Sequence, residues 1–203
     1  MPVLIGQPAQ PGFDRPLALM SDCHRRIESF LVVFGRVLDR YASRDLDGEA
    51  ANALRTAQRY FREAAPRHTE DEEDSLFPRL RELDRDDLRE LLEAADRLER
   101  QHDEAQHLHA SLDARVDRWL EAGRLSDRDA RSLASDLQSL DRLYTEHIAF
   151  EDEVLFPAAE RVLGHAALRR IGEEMAARRG RNSDGTAAST TIGREHERRS
   201  MHR

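Results

Sequence analysis

Two stretches of this chain repeat one chemically loaded pattern. His68–Pro78 and His147–Pro157 both read His-x-x-x-Glu, then two acids, one variable residue and Leu-Phe-Pro. Residues four apart on a helix project from the same face, so each copy aims one imidazole and one carboxylate at a common point. Two further histidines repeat the spacing: His24 precedes His68 by 44 residues, and His102 precedes His147 by 45. The chain thus divides into two halves related by a pseudo-twofold axis. Each half is a helical hairpin with one His on its first arm and a His/Glu pair on its second. Two such pairs facing each other inside a helical bundle make a two-metal site.

The helices that must position these residues are legible as apolar seams. Leu17, Met20, His24, Ile27, Leu31, Phe34 and Leu38 step by three and four, the pattern of a bundle helix. Asp14 is a candidate cap for it, with Pro16 in the first turn. A second helix starts near Asp47–Glu49, with Leu54, Ala57, Phe61, His68 and Glu72 on its seam. Pro66 predicts a kink just before His68. The third seam runs from Leu88 through Leu98, His102 and His109 to Trp119, and Gly123 closes that helix. Ser126 to Asp129 resembles a capping box. The fourth seam holds Leu133, Leu137, Leu140, Tyr144, His147, Glu151 and Val154. The spacing therefore predicts an all-α chain in four parts. Residues 1–13 form an extended lead-in and 14–160 a four-helix bundle. Residues 161–179 hold a short fifth helix after Gly164, and 180–203 a disordered tail.

The six polar residues His24, His68, Glu72, His102, His147 and Glu151 stand where apolar side chains belong. Burying an ionised carboxylate costs several kcal/mol unless it is paired or coordinated. No Arg occupies the seams to neutralise the pair. Core histidines bonded to glutamates would account for one such pair, but not for two in matching contexts with two further His at matching offsets. Four imidazoles and two carboxylates without a thiolate suit iron or manganese, with zinc also open. His24 and His68 are assigned to one metal, His102 and His147 to the other, with Glu72 and Glu151 bridging. Fewer than six protein ligands per metal leaves room for a small oxygen-type ligand.

Composition narrows the alternatives. The 203 residues are 39% hydrophobic, 35% charged and 5% aromatic, a helix-friendly mixture large enough for one core. All 32 basic residues are Arg, which excludes a Schiff-base lysine and a Walker-type phosphate lysine. A net charge of −8 is a poor match for nucleic acid or anionic lipid, so neither is expected as a partner. No stretch approaches the roughly 20 apolar residues of a membrane span. Met1–Phe13 lacks a basic segment and a long apolar run, so no signal peptide is expected and a cytoplasmic location is the default. No sequence feature identifies a protein partner.

The series His24, His68-x-x-x-Glu72, His102, His147-x-x-x-Glu151, with its two Leu-Phe-Pro endings, resembles the hemerythrin-like (HHE cation-binding) domain over about residues 14–160. The resemblance implies an up-down four-helix bundle around two non-haem iron ions, oxo- or hydroxo-bridged. Dioxygen-carrying hemerythrins have a His-x-x-x-His pair on the third helix and end the last motif with a more distant Asp. Here Gln106 follows His102 by four residues, and Glu151 ends the last motif. That pattern is nearer to hemerythrin-like proteins with two His-x-x-x-Glu copies. Those are linked to iron or oxygen sensing, peroxide decomposition and stress responses. Two functional classes stay open. One is a centre reacting with or sensing dioxygen, peroxide or nitric oxide, with catalase-like turnover as its enzymatic form. The other is a sensing or metal-storage module without turnover.

Neighbouring residues carry weaker signals. Tyr144 lies one turn before His147, where its hydroxyl would either bond a metal-bound ligand or pack in the core. His109 reads as a core histidine, about 10 Å along the helix from His102 by helical rise. His107 and His165 read as surface residues, and His196 and His202 as solvent histidines of the tail. Cys23, the single cysteine, reads as an inert small hydrophobe. Glu73-Asp74 and Asp152-Glu153 read as a solvated acidic face.

Overall fold

The computed structural model describes residues 11–181. Most of the expected lead-in and tail, with His196 and His202, lies outside the described residues. Helix α1 (Pro16–Tyr41) begins with its proline in the first turn. There the fixed φ suits a helix and the missing N–H has no partner to lose. Asp14 does not cap it: Arg15 holds the cap position and no side chain bonds the first turn. The proline has already removed one of the donors that a cap would serve. The second arm opens with α2 (Gly48–Glu63), capped by the Asp47 carboxylate, which accepts from the Ala50 amide at 2.8 Å. It breaks at Ala64 and resumes as α3 (Ala65–Asp71). Pro66 dictates this break, because its ring clashes with the carbonyl four residues earlier and offers no N–H. A π-helical turn over Glu72–Leu76 and a short α4 (Phe77–Arg81) complete the arm.

Helix α5 (Arg89–Ala122) ends at Gly123, whose φ of 72° is the left-handed conformation that terminates helices. Helix α6 (Asp127–Phe150) is capped by Ser126, whose hydroxyl accepts from the Asp129 amide at 3.1 Å. A second π-helical turn, Glu151–Leu155, leads into α7 (Phe156–Val162), and α8 (His165–Arg178) follows. α1 packs on α2 and α6, and α5 packs on α6 and α2, which makes an up-down four-helix bundle. The shorter α8 lies across one end, against α1 and α3. Its Gly172 is a close-approach residue: a Cβ there would stand 1.9 Å from the Phe13 carbonyl oxygen. Among the described residues, no helix is long and apolar enough to cross a membrane.

The core is split in two. One apolar cluster gathers Ile27, Phe34, Leu112, Trp119 and Leu140. The other gathers Met20, Phe77, Leu98, Phe156 and Met175. His24, between Met20 and Ile27 on α1, lies in the layer that separates them.

Both π-helical turns fall inside the repeated motif, and the Leu-Phe-Pro endings explain them. Pro78 and Pro157 cannot donate to the carbonyls of Asp74 and Glu153, and their rings would collide with them in a regular helix. The chain widens instead, with the Phe77 amide bonded to the Glu72 carbonyl and the Phe156 amide to that of Glu151. The extra residue per turn changes which side chains face inward. Leu155 is fully buried, while Val154, which a regular count puts on the seam, is 45% exposed.

Candidate metal centre

Four imidazoles and two carboxylates from all four arms meet in the polar layer. Ligand atoms of His24, His68, Glu72 and Glu151 lie within 4.8 Å of one another, and so do those of Glu72, His102, His147 and Glu151. The two glutamates belong to both groups. Within its own motif, His68 Nε2 is 3.3 Å from Glu72 Oε1, and His147 Nε2 is 3.2 Å from Glu151 Oε2. Across the bundle, His24 Nε2 is 3.0 Å from Glu151 Oε2, and His102 Nε2 is 3.2 Å from Glu72 Oε2. Each carboxylate thus reaches histidines of both halves.

The carboxylates converge on the imidazoles without hydrogen bonding to them. Glu72 and Glu151 are fully buried, yet none of their four carboxylate oxygens has a hydrogen-bond partner, nor does His24 Nε2. The imidazole nitrogens are near the carboxylates in distance but out of hydrogen-bond alignment with them, while His102 Nε2 and His147 Nε2 pair with each other at 3.2 Å. A buried polar atom left unpaired costs about 1–3 kcal/mol, and more when charged. Burial, then the Glu151 charge, lifts the Glu72 carboxyl from 4.5 to about 7. Burial also opposes ionisation of Glu151, but the His147 and His24 imidazoles outweigh it and hold that carboxyl low. Two carboxylates and four imidazole nitrogens facing one another across a dry layer are the donor set of a cation site, and they fit iron, manganese or zinc.

An outer layer orients the rings, and here the acidic face departs from expectation. Asp152 Oδ1 accepts from His24 Nδ1 at 3.0 Å, and Ser21 donates to the same oxygen at 2.6 Å. Glu73 Oε1 accepts from His102 Nδ1 at 2.8 Å. Only Asp74 and Glu153 of the two acid pairs are exposed. A carboxylate on Nδ1 fixes the ring and leaves Nε2 for the centre. Phe156 stacks beside His24 with ring centroids 5.5 Å apart, and Phe77 beside His102 at 6.5 Å. Each motif therefore braces the first-arm histidine of the opposite half, with the first acid after its glutamate and its Leu-Phe-Pro phenylalanine. The count along one helix does not predict this, because the histidine braced belongs to the other half.

The remaining candidates take defined places. Tyr144 directs its hydroxyl to His109 Nε2 at 3.0 Å, and His109 stacks on Phe61 with centroids 4.3 Å apart. His109 is thus a packed, bonded core residue one layer from the centre. Burial lowers its pKa to about 4. His107, His165 and Gln106 are exposed. Cys23 is buried, and burial pushes its thiol up to about 11. Gln101, not singled out by its sequence position, accepts from His147 Nδ1 at 3.0 Å. Asp71, adjacent to Glu72 and fully buried, is also new: Arg179 grips it with two bonds and Arg178 with one. α8 is also clasped to the π turn, through Ser75 and Glu174 at 2.6 Å.

Comparison with a protein-family model gives the same family reading. A protein of Haemophilus influenzae described as uncharacterized is 26% identical over 167 residues, which is 82% of this chain and 91% of that protein. No solved structure matches the chain. The family model for the hemerythrin HHE cation binding domain matches residues 15–159, a span that holds all six converging residues. With its four-helix bundle and its buried His/Glu layer, the chain belongs to the hemerythrin HHE cation-binding domain family.

Proposed function

We propose that this protein holds two non-haem iron ions and uses them to react with, or sense, dioxygen, peroxide or nitric oxide. His24 and His68 bind one ion, His102 and His147 the other, and Glu72 and Glu151 bridge them. The observation that carries this reading is the pair of fully buried carboxylates with all four oxygens unpaired. When bound, such a pair of redox-active metals with open coordination positions supplies two-electron chemistry toward a small oxygen-type ligand. Asp152 and Glu73 keep the Nε2 atoms of His24 and His102 turned inward. Phe77 and Phe156 shield those rings from water. Tyr144 and His109 form a hydrogen-bonded pair beside His147, one layer from the centre. A cytoplasmic location suits loading with ferrous iron.

A second reading, a sensing or storage module without turnover, draws on the α8 clasp. Arg178 and Arg179 hold Asp71, the residue next to Glu72, so occupancy of the centre bears directly on the seating of α8. Iron content and the optical spectrum, taken after anaerobic iron loading and then on adding air and hydrogen peroxide, test both. About two irons per chain, near-ultraviolet bands that respond to peroxide, and sustained peroxide consumption support the reactive centre. Two irons with no consumption support the module. Zero or one metal per chain sinks the dinuclear assignment.

A further inference from the structure

The two halves of the centre match in ligands but not in what stands behind them. Three of the four histidines have an Nδ1 partner: Asp152 for His24, Glu73 for His102 and Gln101 for His147. His68 has none: its Nδ1 is buried without a hydrogen-bond partner among the described residues. The pseudo-twofold axis shows where the missing partner would come from. Gln101 immediately precedes His102 on α5 and reaches the second-arm histidine of its own half. Cys23 immediately precedes His24 on α1, and it is a buried thiol. A thiol is short and a weak acceptor, whereas a carboxamide oxygen reaches the ring and accepts strongly. In metal sites a hydrogen bond on the far ring nitrogen raises ligand basicity and locks orientation, and its loss typically costs about 10–100-fold in affinity.

We propose that Gln101 is a positioning residue that makes the His102/His147 half the tighter metal position, filled first. The His24/His68 half is the weaker, exchangeable position. This rests on the dinuclear assignment above. It gives the centre a loading order and puts the more labile ion on the side of His68, the histidine that lacks a brace. His68 also shares its arm with Asp71, which α8 clasps.

The test is titration of cobalt(II) into the metal-free full-length protein, followed by calorimetry and visible absorption. The wild type is expected to take up two ions in two steps, the first about 10–100-fold tighter. Gln101→Leu should weaken the first step by a similar factor and leave the stoichiometry at two. Gln101→Glu keeps an acceptor for Nδ1–H and should restore the first step. His68→Ala should delete the second step alone, and His147→Ala the first. Equal steps in the wild type, a first step indifferent to Gln101→Leu, or loss of the tighter step in His68→Ala would overturn the proposal. Uptake of fewer than two ions by the wild type would instead remove the dinuclear assignment beneath it, a separate and recognisable failure.

Discussion

Replacing Glu72 by Gln separates a metal ligand from a structural carboxylate by the sign of its effect. The substitution keeps the volume and removes the charge. In the metal-free protein, burial and the neighbouring Glu151 lift the Glu72 carboxyl from 4.5 to about 7. At about 1.4 kcal/mol for each tenfold displacement, keeping it ionised above that pH costs on the order of 3 kcal/mol. Solvent screening does not reduce the figure, since Glu72 is fully buried. The folded protein holds this proton more tightly than the unfolded chain, so the contribution of Glu72 to stability falls as pH rises from 4.5 to about 7. In a chelator, Glu72→Gln should therefore be more stable than wild type above pH 7, by up to that amount, with the gain fading toward pH 4.5. Saturating metal reverses the order. Each ion present at about 100 times its dissociation constant adds about 2.7 kcal/mol to the wild type, and the variant forgoes at least one such increment. Urea unfolding at two pH values, with chelator and with ferrous iron under anaerobic conditions, measures all four quantities. A variant less stable than wild type in chelator, with neither protein responding to metal, would refute the reasoning and make the layer a structural ion cluster.

Three further outcomes follow from the packing. Pro157→Ala restores an N–H that can bond the Glu153 carbonyl, so the π turn can relax to a regular helix; metal affinity should fall while metal-free stability holds or rises, as paired titration and unfolding would show. Gly172→Ala forces a Cβ to 1.9 Å from the Phe13 carbonyl oxygen and should destabilise by about 1–3 kcal/mol in chemical denaturation. Unchanged stability there would show that the Phe13 segment does not lie against α8. His109 has its pKa lowered from 6.5 to about 4, so the unfolded chain binds a proton that the folded one refuses across that window. Metal-free stability from this group is complete above pH 6.5 and should fall by on the order of 2–3 kcal/mol toward pH 4. His109→Phe should lack that part of the acid loss in paired pH titrations of unfolding.

The sequence alone determined the helices, the bundle and the convergence of the six polar residues. Those features are periodic and local: an imidazole four residues before a carboxylate, or one falling on an apolar seam, announces its direction without any knowledge of its neighbours. Pro66, Ser126 and Gly123 likewise act within a turn of themselves. What the tertiary structure decided depends on register and on contacts between distant segments. The π turns move Val154 off the seam, and the packing of the arms sets Asp152 and Glu73 behind histidines more than a hundred and nearly thirty residues away in sequence. Read along a regular helix, those acids belong to a solvated face. Gln101 behind His147, the bare Nδ1 of His68 and the grip of Arg178 and Arg179 on Asp71 leave no periodic trace, because each depends on where a second segment places its backbone. The pattern of a single helix fixes which side faces inward, and only the packed bundle fixes what it meets there.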